Sequence, residues 1–245
     1  MSPASNRREP AFPKRVLVDQ GAFALMSWPV YTLFVFAVTF VVSLFNDVSA
    51  SGWDLGGQPM RWFAFAIGIY LGWSVLQLHV THGGTRKGFM LQMLVFVPVF
   101  AALLTLIFAL SFMLESGYYA LMGWPQGIEN GALYAGPFDL PMVLLQYVLI
   151  FALWTLGGLL IAAAWYRSAI LGAAAIPLGL AAVSVSALVL GGDGDGPMVW
   201  ISQVLPVQPG PLVATIAHLL LAALFAGLTW LAVRNVPIRS KAAAG

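Results

Sequence analysis

The sequence predicts an all-α polytopic membrane protein: six transmembrane helices, both termini cytoplasmic, preceded by an interfacial N-terminal helix. Three observations carry this expectation. Hydrophobic residues make up 60% of the 245 positions and charged residues only 8%, with a mean hydropathy of +0.89, whereas a soluble domain carries about a quarter charged residues. Apolar runs recur at roughly 28–45, 60–80, 89–114, 141–166, 168–190 and 212–233, each near the length of about 20 residues that a helix needs to cross the hydrocarbon core. The basic residues are segregated: Arg7, Arg8, Lys14 and Arg15 precede the first run, Arg86 and Lys87 separate the second from the third, Arg167 the fourth from the fifth, and Arg234, Arg239 and Lys241 follow the sixth. Lysine and arginine favour the cytoplasmic side, so both ends are placed inside. Only Arg61 falls on the opposite face, with Asp47, Asp54, Glu115, Glu129, Asp139, Asp193 and Asp195.

A tail over 1–15 leads into a weakly amphipathic stretch at 16–27, with Leu17, Val18, Ala22 and Leu25 on one side and Asp19 and Gln20 on the other. It is expected to lie along the cytoplasmic interface. The first span lies too late and runs too long for a cleaved signal peptide. Prolines at Pro29, Pro59, Pro141 and Pro211 read as first-turn residues, where the missing N–H is harmless. Pro98 and Pro177 instead fall inside the third and fifth spans and should bend them.

The outer loops are expected at 46–59, 115–140 and 191–211. The middle one carries Tyr118, Tyr119, Trp124 and Tyr134, the composition of a segment at headgroup level. In the last, Met198 to Leu205 is too short to span and reads as a half-helix. The fourth and fifth spans are joined only through Arg167 and Ser168, so they form a tight hairpin, with Gly157, Gly158, Ala175, Gly179 and Ala182 permitting close approach. A tail over 234–245 closes this single transmembrane domain, which spans 1–245.

Several functions are excluded or disfavoured at this level. The absence of cysteine removes thiol chemistry. A formal charge of +2 drawn from few groups does not suit nucleic acid. No Asp, Glu, Lys or Arg lies near the middle of a span, which argues against an intramembrane proton relay or voltage sensor. None of Lys14, Lys87 and Lys241 follows a glycine, so no phosphate-binding Gly-Lys-Ser/Thr motif is present. His79 and His82 share a helix face but lack a third ligand for a metal, and Asp193 with Asp195 lacks the downstream glutamate of a calcium loop. Catalytic residues and metal ligands are accordingly expected to be none. Gln77, Gln92, Gln146 and His218 are the polar residues expected to line a pathway or to join helices.

The most informative segment is Gly83-Gly84-Thr85-Arg86-Lys87-Gly88-Phe89, a short basic linker between the second and third spans. It resembles the corresponding linker of ABC-2 type permeases, the membrane subunits of ABC transporters. The long third span ending in Glu115, the aromatic outer segment, the hairpin of spans four and five, and the exit of the last span through Arg234-Asn235-Val236 are similar to that family's plan. The resemblance implies that the linker is a coupling element docking a separate cytoplasmic ABC ATPase, which binds ATP and Mg. It also implies that 16–27 is an interfacial gate helix, that a second copy or a paralogous permease completes the path, and that a hydrophobic or amphipathic drug, lipid or peptide is exported across the plasma (inner) membrane. The loop after span five is shorter than in members with paired external helices there. Arg86, Lys87 and the Gly83-Gly84 backbone are the expected ATPase contacts, with Phe89 anchoring span three in the apolar phase. The rival expectation is a membrane scaffold or sensor subunit, or a haem protein ligated by histidine.

Overall fold

The computed structural model describes residues 13–55, 57–129, 131–190 and 210–236. Helix α1 (Lys14–Ser43) is followed by a single turn, α2 (Gly52–Leu55). Next, α3 (Gln58–Tyr70), a π-helical turn (Leu71–Val75) and α4 (Leu76–Thr81) form one unbroken rod. Then come α5 (Arg86–Met122), α6 (Leu140–Arg167), α7 (Ala169–Val189) and α8 (Pro211–Val233). With Gly52–Thr81 taken together, six of these stretches are long and apolar enough to cross a membrane. Among the described residues there is no strand; a lone bridge pairs Ala50 with Gly127.

Helix α6 is the centre of the bundle, with α3, α7, α8 and α5 all packed against it. Its contact with α3 is the tightest. A Cβ on Gly68 would lie 2.0 Å from the carbonyl oxygen of Thr155, and one on Gly158 would lie 2.1 Å from that of Phe65. Backbones meet directly there, with no side chain between them. Gly72, one helical turn along, meets Leu159 in the same way. Of the glycine pair expected to serve the α6–α7 hairpin, only Gly157 does so, facing Gly179; Gly158 faces α3. The hairpin itself is as tight as expected: Ser168 alone separates the helices, and its hydroxyl accepts from Leu171 N at 3.2 Å.

Two expectations are corrected. No break separates an interfacial helix at 16–27 from a span at 28–45, because α1 runs continuously through both and Pro29 lies inside it. Thirty residues make about 45 Å of helix, longer than the hydrocarbon core, so tilt or overhang must absorb the surplus. Pro59, Pro141 and Pro211 do occupy first-turn positions. The third span does not end at 114: α5 continues to Met122 and stops at Gly123, which takes the left-handed conformation at φ 71°. Glu115, Tyr118 and Tyr119 are therefore helical. The second span also contains the π-helical turn, a feature the sequence reading did not address. Pro98 and Pro177 lie inside helices as expected. Asp193, Asp195 and the half-helix at 198–205 lie outside the described residues, as do Arg7, Arg8, Arg239 and Lys241.

The glycine contact gives a direct prediction. Gly158→Leu must force α3 from α6, and overpacking of this kind costs about 1–3 kcal/mol or more; it should lower the unfolding temperature in detergent by several degrees. Gly117→Ala, whose new Cβ would meet nothing within 4 Å, should leave that temperature unchanged or raise it slightly.

Candidate functional site: the linker turn and its supports

The bundle has a basic end, carrying the linker between α4 and α5, and an acidic end. At the basic end the linker has a defined shape. Helix α4 closes at His82, after which Gly83 turns left-handed at φ 81°. The Gly84 amide donates to His79 O at 2.8 Å and the Gly83 amide to Val80 O at 3.1 Å, satisfying the last carbonyls of the helix. Thr85 then caps α5, its hydroxyl accepting from Gly88 N at 2.9 Å. The His79 ring donates from Nε2 to Thr85 O at 3.1 Å, closing the turn from the inside. Gly84 is packed against that ring, so a Cβ there would come within 2.3 Å of it.

The linker residues do not share one role. Arg86 is half-buried, and its Nε and Nη2 both donate to Val236 O, at 3.1 and 2.5 Å. It ties the turn to the chain just past α8. Arg167 does the same from the α6–α7 turn, donating from Nη1 to Leu231 O at 2.7 Å. Two guanidinium groups thus sit on the carbonyl end of α8, where the helix dipole favours cations. Phe89 is buried in the protein core, its ring 5.9 Å from that of His79, and is not an anchor in surrounding lipid. Lys87, His82, Gly83 and Thr85 are exposed.

The remaining candidates do not converge on one path. Gln77 and Gln92 are half-buried on α4 and α5. Gln146 is fully buried near the acidic end, its Oε1 accepting from Leu133 N at 2.9 Å. His218 joins helices: Nδ1 donates to Ala214 O at 3.0 Å, and Nε2 accepts from Ser186 Oγ of α7 at 3.1 Å. His82 Nδ1 bonds Leu78 O at 2.8 Å, while His79 bonds Thr85. The two rings are thus committed to different carbonyls.

Sequence reasoning missed the polar cluster at the acidic end, where Asp54, Arg61 and Glu115 are buried. Glu115 accepts from Trp53 N at 2.6 Å, from Gln126 Nε2 at 2.7 Å and from the Ser51 hydroxyl. Three donors converge on this one side chain in place of water. Tyr119 reinforces the same contact, accepting from Gly52 N and donating to Ala50 O, both at 2.9 Å. Beside it runs a chain of donors. Arg61 hydrogen-bonds the Tyr147 hydroxyl, which lies 3.1 Å from the Tyr134 hydroxyl, and Tyr134 in turn donates to Asp54 Oδ1 at 3.2 Å. Burial pushes the Tyr134 phenol well above its ordinary pKa, so it stays a donor at any physiological pH. A signal for this cluster was present: Arg61 is the single basic residue on the acidic face, seven residues from Asp54.

Compared with known proteins, the chain matches no protein-family model, no curated protein and no solved structure.

Removing the Glu115 carboxylate would strand three buried donors. Glu115→Ala should therefore cost about 3 kcal/mol or more, read as lost thermal stability in detergent. Glu115→Gln, which keeps one acceptor, should cost less. At the other end, Thr85→Ala should cost about 1 kcal/mol through the lost helix cap.

Proposed function

We propose that this chain is the membrane subunit of an ATP-driven ABC transporter of the ABC-2 permease type, exporting a hydrophobic or amphipathic compound. The observation that carries the reading is the linker turn. It is short, shaped by Gly83 and Gly84, braced from inside by His79 and Phe89, and exposes His82, Gly83, Thr85 and Lys87. A turn that is to pass force from a soluble motor to membrane helices needs those properties: an accessible tip and a stiff attachment. Arg86 adds a second attachment, so a push on the tip reaches α8 as well as α4 and α5.

In this reading the chain lies in the plasma (inner) membrane with its basic end facing the cytoplasm, and both termini lie there. The ATP and Mg sit in the partner ATPase. A second copy, or a paralogous permease, supplies the second turn that a two-nucleotide motor requires. The substrate class is supported by a groove of about 600 Å³ between α1 and α5. Its walls include Leu33, Phe36, Leu110 and Leu114, with the Thr32 and Ser111 hydroxyls paired at 3.2 Å as its polar feature. Apolar walls with one or two polar groups suit an amphipathic molecule.

The test must spare the fold. Substitution of Gly84 would collide with His79, and Arg86→Ala would untie the turn from the chain just past α8, so neither isolates docking. Gly83→Asn does: asparagine tolerates the left-handed conformation, and a Cβ at Gly83 meets nothing within 4 Å. The variant should insert normally, co-purify less well with a P-loop ATPase encoded alongside, and blunt the response of that ATPase to substrate. An ATPase response equal to wild type would remove the linker as the coupling element, and failure of any P-loop ATPase to co-purify with the wild-type chain would remove the transporter reading itself.

A further inference from the structure

A second groove opens at the basic end, between α5 and α8, with a volume of about 340 Å³. One wall is Lys87, Met90, Leu91 and Leu94, spaced i, i+3, i+4 and i+7 along α5. The other is Ala226, Gly227 and Trp230 of α8. Arg234 extends this second wall, since it lies four residues beyond Trp230 in helical conformation and so on the same face. The two helices run in opposite directions, which puts Lys87 and Arg234 together at one mouth of the groove and only apolar groups deeper in.

Both cations are exposed, and among the described residues neither has a hydrogen-bond or ion-pair partner. They contrast with Arg86 and Arg167, whose guanidinium groups are spent on α8 carbonyls. Gly227 keeps the groove open: a Cβ there would meet nothing within 4 Å. Trp230, partly exposed between the cations and the apolar floor, has the character of an interfacial residue.

We propose that this groove binds one anionic phospholipid, its phosphate held between Lys87 and Arg234 and one acyl chain lying past Trp230 over Gly227. The ligand is specified by the order of the groups. Two unpaired positive charges at the mouth select an anionic head, and basic sites between membrane helices are known to favour such headgroups. The length of apolar groove running from the mouth into the bundle selects a chain over a free phosphate. The assignment shares Lys87 with the docking tip of the transporter reading but does not rest on that reading, because its test concerns the isolated chain and involves no ATPase.

Native mass spectrometry of the full chain in detergent, titrated with phosphatidylglycerol or with phosphatidylcholine of identical chains, tests it. The wild-type protein should retain one phosphatidylglycerol in clear preference to phosphatidylcholine, and excess inorganic phosphate should not displace it. Lys87→Gln and Arg234→Gln should each weaken retention about five-fold without altering the unfolding temperature. Gly227→Leu should abolish retention by filling the floor; leucine is also the better helix former, so the variant is expected to fold. Leu94→Trp narrows the groove from the opposite wall and provides an independent check. Equal retention of the two lipids by wild type, undiminished retention in the double variant Lys87→Gln with Arg234→Gln, or undiminished retention in both groove-filling variants would overturn the proposal.

Discussion

The structure depends on the direct contact of two backbones, α3 with α6 through Gly68 and Gly158. In a membrane, helices gain little from hiding apolar side chains from one another, because the lipid is equally apolar; close packing and satisfied polar groups must hold the bundle. The glycines bring two helices closer than any pair of side chains would allow. With α3 fixed, the outer face of α6 is left for α7 and α8, and Gly157 with Gly179 repeats the device on a looser scale. Helix α1 has no such contact. It touches mainly α5 and exposes Leu33, Phe34, Phe40 and Val41.

The polar groups then divide the work between the two ends. At the basic end, arginines from two separate turns cap the single helix α8. At the acidic end, Glu115 and Asp54 collect donors from two segments of the chain, Ser51 and Trp53 in one and Gln126, Glu129 and Tyr134 in the other, so both are pinned to the helices. Between the ends the span interiors hold only uncharged polar groups, such as Thr105 and Thr155, whose hydroxyls bond back to their own helices.

Hydropathy and proline placement made the six spans legible, because length and composition alone decide whether a helix can cross. The linker was equally legible as a turn, since Gly83, Gly84 and Thr85 each have a conformational job. What was illegible was partner choice. Nothing in the spacing of Gly157-Gly158 says that adjacent glycines face different helices. Glu115 was read as the end of a span because a charge so often is, although Gly123 followed by Pro125 was the stronger stop signal. The α1 boundary is illegible for a related reason: Pro29 suits a helix start, yet an interior proline is tolerated where neighbouring groups can serve the freed carbonyl. Arg86 carries the same lesson. Its charge was legible, but its acceptor lies 150 residues away in sequence.

The chain of donors from Arg61 through Tyr147 and Tyr134 to Asp54 has a consequence for biogenesis. Arg61 and Asp54 are synthesised early, at the start of the second span, whereas both phenols lie far downstream, in and just before the fourth. While the second span is emerging, its buried cation has no tyrosine to meet, and the glycine contact with α6 does not yet exist. Arg61 must therefore be kept near water or the insertion machinery until the fourth arrives. The polar partners and the close helix contact of the second span are thus completed late in synthesis, after the fourth has been made.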